Sequence, residues 1–404
     1  MRTIGYAYPW DVLTPGFIER TTDLGVDSVA VALNYHSARC ATPWSTTTSA
    51  IHARTSALYR NVGAHQWSDL QPGDASWMPQ DDPGAAAIAV LAAAGVDTLA
   101  WIVLSHNSLV GEANPDIVVR NCFGESYPWA LCPNNGRVQQ FCGELTAAST
   151  AGLPLAGVVL ESWGQMSAVH QCTHEKTDGV WSPEAVRLLS VCCCDACARG
   201  WQVPADHVRL TLAEAARAAI AGEPRPLPQD LDDLLLSTRH AGADRLRRTA
   251  INALPSSTSV TLHAGADPWA TGALCGLTES ATTDAAALVL PYWQPSEAAL
   301  SAIATTRRQV PSTVAVGAYV TLAGPMERPE IASDVDQLAT AGVDELHLYH
   351  LGLVGPGRWD QMRLAVDAAR APRHDSPHPP SAHDSSPADA IGIPNDSTRS
   401  KENA

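Results

Sequence analysis

Short runs of β-branched and other apolar residues alternate along the chain with longer Ala-rich stretches, and the alternation repeats eight times. The runs are Thr3 to Tyr8, Ser28 to Leu33, Thr98 to Leu104, Gly157 to Glu161, Ser259 to His263, Ala287 to Pro291, Thr313 to Val320 and Glu345 to Tyr349. Apolar runs of this length between helical stretches are the pattern of strands buried on both faces of a parallel sheet. Three helical stretches end in the same phrase, Leu24-Gly25-Val26-Asp27, Ala94-Gly95-Val96-Asp97 and Ala341-Gly342-Val343-Asp344, where the Gly suits a left-handed helix stop before the next strand. The rhythm predicts an α/β fold, a (β/α)8 barrel over residues 1–370, with its site at the C-terminal ends of the strands.

Two connections are too long for plain barrel loops. Residues 36–96 carry Trp44, His52, His65, Trp67, Asp69 and Trp77 on a weak helical pattern and are expected to form a lid or rim. Residues 165–250 hold amphipathic helix candidates at Leu210 to Ile220 and Leu231 to Ala250, broken by a Pro-rich stretch at 222–228, and are expected to be scaffold. From about 371 to 404 the chain turns to Pro, Ser, His and Asp, the composition of a disordered tail.

A net charge of -16 with no block of Lys or Arg argues against nucleic acid or an anionic membrane as partner. No apolar run is long enough to span a bilayer, and Met1 leads into a strand pattern without a signal-like segment. These features suggest a cytoplasmic protein acting on a small molecule, with its 10 cysteines as thiols or metal ligands.

Polar and aromatic residues gather where the strands end. They are Tyr8, Trp10 and Asp11; Asn34, Tyr35 and His36; His106 and Asn107; Glu161 and Trp163; His263, Asp267 and Trp269; Tyr292 and Trp293; Tyr319; and Tyr349 and His350. Flat rings with polar edges suit stacking on sugars. Glu161 ends an apolar strand, where burial disfavours the charged carboxylate and favours a proton donor. Glycoside hydrolysis needs a second carboxylate, for which Asp267 and then Asp11 are the best-placed candidates; none ends strand seven or eight.

Cys192, Cys194 and Cys197 have the spacing with which thiolates surround a tetrahedral ion, and Cys132, Cys172 or His174 would be the fourth ligand. Four protein ligands make such a zinc ion structural. His170 and His174 lie four residues apart, a spacing that on a helix would turn both to one side. Cys40, Cys122, Cys142 and Cys275 are expected to be core residues.

These motifs resemble the barrel glycoside hydrolases of the β-galactosidase type that carry a thiolate zinc cluster. The resemblance rests on Cys132-Pro133-Asn134-Asn135, on Leu160-Glu161-Ser162-Trp163-Gly164, where that family has Asn-Glu-Tyr-Gly, on the three later cysteines and on Thr261-Leu262-His263. It covers roughly residues 100 to 295, and the chain is similar as well to Ala-rich glycosidase-like proteins of actinobacteria. It implies Glu161 as general acid/base and Cys132, Cys192, Cys194 and Cys197 as zinc ligands. The chain departs from the family at Leu160, which stands where an Asn is usual, and in lacking a Glu after strand seven.

Three functions follow as expectations. The first is a glycosidase-like hydrolase of a small sugar or glycosylated metabolite, using Glu161 with Asp267 or Asp11, and Trp10, His36, His106, Asn107, Trp163, His174, His263, Trp269, Tyr292, Trp293, Tyr319 and His350 around the substrate. The second is a metal-dependent sugar isomerase or epimerase with a cation among Glu161, His263, His174 and His350. The third is a barrel that binds carbohydrate without catalysis.

Overall fold

The computed structural model describes residues 1–372 apart from 64, 66, 170–175, 178, 325 and 326. Eight parallel strands form its centre: β1 (Arg2–Ala7), β2 (Ser28–Tyr35), β3 (Asp97–Val103), β4 (Gly157–Glu161), β5 (Val260–Gly265), β6 (Ala287–Pro291), β7 (Ala315–Thr321) and β8 (Glu345–Tyr349). They pair in chain order, and β1 pairs with both β8 and β2, which closes a (β/α)8 barrel. Each strand falls on one of the eight apolar runs.

Alternation along the strands separates two apolar layers. Val29, Val31 and Leu33 face out to the helices, while Ala30 and Ala32 face in with Ile4, Leu99, Val103, Val159 and Val289. The repeated phrase works at the foot of the barrel. Gly25, Gly95 and Gly342 have φ of 78°, 73° and 88°, as a left-handed helix stop requires. Two of the following acids then pin a neighbouring strand: Thr3 N–H donates to Asp27 Oδ2 at 2.7 Å, and Val316 N–H to Asp344 Oδ2 at 2.9 Å.

Within residues 36–96, Ala38–Ala41 and Ala50–Ala53 form an antiparallel hairpin. The helix Pro83–Ala93, capped by Asp82 accepting from Ala85 N–H, packs on β2 and β3 as one of the helices around the barrel. The segment that joins hairpin to helix lines a cavity of about 650 Å³, with Arg60, Trp67, Asp74 and Asp81 among its walls.

Residues 165–250 carry the helices Pro183–Leu189, Asp195–Ala198, Ala205–Ile220 and Gln229–Asn252. With the hairpin Val118–Arg120 and Ser126–Leu131 they build a second core around Val119, Tyr127, Leu188, Val208, Leu212 and Ala216. The helix Gln229–Asn252 belongs to both cores: Leu231 and Leu235 enter the second, while Ala243, Leu246 and Ala250 pack on the barrel. Among the described residues no helix is long and apolar enough to cross a membrane. The expected tail lies, from residue 373 onward, outside the described residues.

That shared helix is anchored by Arg247, which is fully buried. It bonds Asp244 at 2.8 Å and Asp284 at 2.6 Å, and also reaches Thr278 and Ser280. Its guanidinium lies 5.0 Å from the ring of Trp163. Removing one member of a buried ion-pair network strands the others. Arg247→Met is expected to lower stability by about 3 kcal/mol in chemical denaturation; a change within ±0.5 kcal/mol would refute its role as anchor.

Candidate active site

Barrel interiors stack side chains from alternate strands in layers, usually of branched aliphatics. Here one layer is aromatic and polar: Tyr6 of β1, Trp101 of β3, His263 of β5 and Tyr319 of β7. Tyr6 lies 5.0 Å from Trp101, 5.6 Å from His263 and 4.9 Å from Tyr319, centre to centre. Glu161 ends β4 beside this layer and is 4% exposed. Its Oε2 accepts the Trp101 indole N–H at 2.8 Å and lies 3.3 Å from His263 Nδ1. The Tyr6 hydroxyl is 2.9 Å from His263 Nε2 and 2.9 Å from His347 Nδ1, and His347 Nε2 is 3.1 Å from Glu345 Oε2. His347 fits across the barrel because residue 317 is Gly, where a Cβ would stand 2.8 Å from the imidazole.

Burial sets the protonation of this region. It pushes the phenols of Tyr6, Tyr8, Tyr35 and Tyr319 well above their ordinary range, with the nearby Glu161 carboxylate adding to the effect for Tyr6, Tyr35 and Tyr319. Tyr349 is pushed up to about 12 for the same first reason. Burial lowers His36 and His347, and takes His350 down to about 3. These phenols and the imidazoles of His36, His347 and His350 are therefore neutral near pH 7.

Above Glu161 the aromatic residues pack on one another. Tyr8 stacks on Trp10 at 4.4 Å and meets the tilted ring of His350 at 4.3 Å, and its hydroxyl is 3.4 Å from that of Tyr349. His36 lies between Tyr35 at 4.1 Å and His106 at 4.2 Å. Trp293, 42% exposed, stands at the rim against Tyr319 and Tyr349. Trp10 is covered by Tyr59 and Trp77 from the insertion. Asn107 caps the helix Ser108–Ala113 by accepting Val110 N–H.

Several expected site residues are placed elsewhere. Strand alternation would turn Trp163 to the same side as Glu161, but Ser162 has φ of 54°, which breaks the alternation. Trp163 is fully buried outside the barrel, where its indole N–H donates to the carbonyl of His263 at 2.7 Å. Trp269 has the guanidinium groups of Arg187 and Arg239 against its ring, each 4.7 Å from its centre, beside the second core. Tyr292 is buried on the helix side under Arg328. Asp267 is exposed and accepts Trp269 N–H in its own turn. His174 and His170 lie outside the described residues.

Asp11 is buried behind Tyr8, whose N–H it accepts at 3.0 Å. Residue 352 must be Gly, because a Cβ there would overlap the Asp11 carboxyl. His350 Nδ1 lies 3.7 Å from Asp11 but accepts Gly352 N–H, so the approach joins a neutral ring to a carboxyl and is not an ion pair. Burial raises Asp11 from 3.8 to about 7, against the pull of the Tyr8 N–H and Arg20.

Away from the mouth, Cys132, Cys192, Cys194 and Cys197 form the one group among the described residues with three or more metal-type ligands close enough to share an ion. Cys132 Sγ is 3.6, 3.7 and 3.5 Å from those of Cys197, Cys192 and Cys194. Tetrahedral ligation at about 2.3 Å sets sulfurs roughly 3.8 Å apart, so the cluster has the size for an ion. Asn134 donates to Cys197 Sγ at 3.3 Å. Beside it the buried Arg239 donates to the carbonyls of Trp269 and Ser190, a cation suited to offset a negative thiolate cluster. Cys132 fills the fourth position; Cys172, like His174, is outside the described residues.

Sequence reasoning named Glu161, His263, Tyr319 and His350 but passed over Tyr6, Trp101, His347 and Glu345. The missed signal is period two: Tyr6 and His347 lie two residues before Tyr8 and Tyr349, and so share their inward side.

No protein-family model matches this chain, and no curated protein matches it significantly. Solved structures do. The PgaB (BpsB) glycoside hydrolase domain from Bordetella bronchiseptica matches 91% of this chain and 99% of its own, at 15% identity and a TM-score of 0.56. The catalytic domain of β-amylase from Paenibacillus polymyxa matches 91% and 99%, at 10% identity and 0.51. α-L-Fucosidase isoenzyme 2 from Paenibacillus thiaminolyticus matches 90% of this chain but 48% of its own, at 11% identity and 0.53. At these identities the likeness is one of fold, the (β/α)8 barrel.

The state of Asp11 has a measurable consequence. A carboxyl that holds its proton more tightly when folded contributes stability that is complete below about pH 3.8 and is lost as pH rises through about 7. Asp11→Asn, which keeps an acceptor for Tyr8 N–H, is therefore expected to stabilise the protein at pH 8 by on the order of 3 kcal/mol and far less at pH 5. Equal shifts in thermal midpoint at the two pH values would contradict the neutral Asp11.

Proposed function

We propose that the chain is a glycosidase-like barrel enzyme in which Glu161 is the general acid/base for a small sugar or glycosylated metabolite. The observation that carries this reading is the enclosed Glu161 carboxylate at the end of β4, held by Trp101 N–H and beside His263. A proton donor held in a fixed direction, away from bulk water, is what protonation of a departing sugar oxygen requires. Trp293, with Tyr319 and Tyr349 beside it, is the proposed stacking face for the sugar ring, and His36 and His106 the polar edge.

The second acid of a two-carboxylate mechanism is harder to place. Asp267 is engaged in its own exposed turn, and Asp11 lies behind Tyr8. Glu161 acting as the one carboxyl fits a reaction in which the attacking oxygen comes from water or from an acetamido group of the sugar itself, as in the substrate-assisted glycosidases. A cation-dependent isomerase is less well supported, since Glu161 and His263 approach one another directly at 3.3 Å. The packed aromatic mouth favours, as a second reading, a barrel that binds carbohydrate without turnover.

The four cysteines are proposed to hold one structural zinc ion, because four sulfur ligands leave no position open for substrate. Such an ion would fasten the loop before the helix Gly136–Thr150 to the second core.

Glu161→Gln keeps the size of the side chain and is expected to leave the thermal midpoint near that of the parent while lowering turnover of aryl glycosides by about 100-fold or more. Unchanged turnover would sink the acid/base assignment; sugar binding by both proteins with turnover by neither would establish the second reading.

Metal analysis is expected to find one zinc per chain, and Cys132→Ser to lose the ion and several kcal/mol of stability. A metal-free parent protein as stable as the preparation never exposed to chelator would exclude the zinc.

A further inference from the structure

The mouth carboxylate is one end of a polar chain that runs down the barrel. From the foot upward, Arg2 Nη1 is 3.4 Å from Glu345 Oε1, and its other nitrogen donates to Ser28 at 2.8 Å. Glu345 then meets His347 at 3.1 Å, His347 meets Tyr6 at 2.9 Å, Tyr6 meets His263 at 2.9 Å, and His263 meets Glu161 at 3.3 Å. Six side chains from β1, β4, β5 and β8 are thus in series.

The direction of the chain follows from which groups can donate. Arg2 only donates and the Glu345 carboxylate only accepts; burial opposes that charge, but the His347 hydrogen bond and Arg2 outweigh it and hold Glu345 below its usual range. His347 must therefore carry its proton on Nε2. As a neutral ring it presents a bare Nδ1, which accepts the Tyr6 O–H. Tyr6 has then used its one proton, so its oxygen accepts from His263 Nε2–H. That leaves the Nδ1 lone pair of a neutral His263 facing Glu161 Oε2, acceptor against acceptor, and Nδ1 has no hydrogen-bond partner of its own. Trp101 N–H serves the carboxylate but not the ring. One more proton is required between them.

Glu161 is faced by Trp101 from β3, by Tyr6, Tyr35, Tyr319 and Tyr349, whose phenols keep their protons, and by His36, whose ring burial holds neutral. His263 is faced by Glu161 from β4, Tyr6 from β1, Tyr319 from β7 and the His347 ring from β8, while β6 offers Val289 at the paired position. His347 is faced by Tyr6 and Arg2 from β1, Glu345 on its own strand and His263.

We propose that Arg2, Glu345, His347 and Tyr6 form a polarised relay that fixes the tautomer of His263 and keeps one proton on the Glu161–His263 pair. The inference rests on Glu161 being the acid of the proposed reaction. In that reaction the proton leaves Glu161 as the bond between sugar carbon and leaving oxygen breaks, and the carboxylate regains one from the attacking water. His263, Tyr6, His347 and Glu345 are positioning residues.

The test uses the full chain with 15N-labelled histidine and no substrate. Correlation of ring nitrogens with ring protons by NMR near pH 7, assigned through single His substitutions, distinguishes protonated from bare nitrogens. The expected result is His347 protonated at Nε2 and bare at Nδ1, with His263 protonated at Nε2. Glu345→Gln removes the charge that sets the direction, and is expected to make the Glu161–His263 pair lose its proton at a pH lower by half a unit or more. His347 protonated at Nδ1, His263 bare at Nε2, or His263 signals unmoved by Glu345→Gln would each overturn the relay. The parent spectrum decides the tautomers even if the variant does not fold. Because no turnover is measured, the relay can fail while Glu161→Gln still abolishes activity, and it can stand where Glu161→Gln shows that the acid reading is wrong.

Discussion

Two carboxylates enclosed in one barrel, Glu161 at the mouth and Glu345 at the foot, dictate much of what lies between them. A carboxyl group taken out of water, with or without its proton, is costly unless partners satisfy its oxygens. An aliphatic interior could not do this. Tyr6, Trp101, His263 and His347 can, because each joins an apolar ring that fills the barrel to a polar atom that reaches a neighbour. The rest adjusts to them: residue 317 gives up its side chain so that His347 can cross, and Trp163 holds the strand carrying His263 from the outer face.

The polar interior also explains the role of the outer layers. A barrel whose centre is a network of hydrogen bonds depends for apolar burial on the shell between strands and helices, where Val29, Val31, Leu33, Leu262, Leu288 and Leu346 are packed. The second core adds to that shell on one side only, joined to it by the helix Gln229–Asn252 and by Arg247. Glu161 and Trp163, two residues apart, therefore serve opposite faces of the wall.

The barrel was legible in the sequence because its signals are local. Eight apolar runs and three Gly-stopped helices need no knowledge of what packs where, and the left-handed φ at Gly25, Gly95 and Gly342 is a property of the phrase itself. The cysteine spacing was local in the same sense, although that Cys132 lies beside the other three is seen only in space. The interior of the site was not legible to the same degree. Reading strand ends named Glu161 and His263, which the structure brings within 3.3 Å of each other, but it took proximity in sequence for proximity in space. So it enlisted Trp163, Trp269 and Tyr292, which a single left-handed residue and three arginine partners hold on the outside. Tyr6, Trp101 and His347 sit in mid-strand, where a polar ring looks like ordinary filling until the opposite strands are known.

The four-cysteine cluster carries a consequence for how the molecule comes apart. It joins positions 65 residues apart, from the hairpin end at Cys132 across all of β4 to Cys197. An ion held there would act as a cross-link, and closing a loop of that length removes freedom from the unfolded chain worth roughly 4 kcal/mol by the polymer estimate. The strand bearing Glu161 lies inside that loop. With the link intact, that strand would stay inside a closed loop of chain even after the second core, which supplies all four sulfurs, had lost its packing.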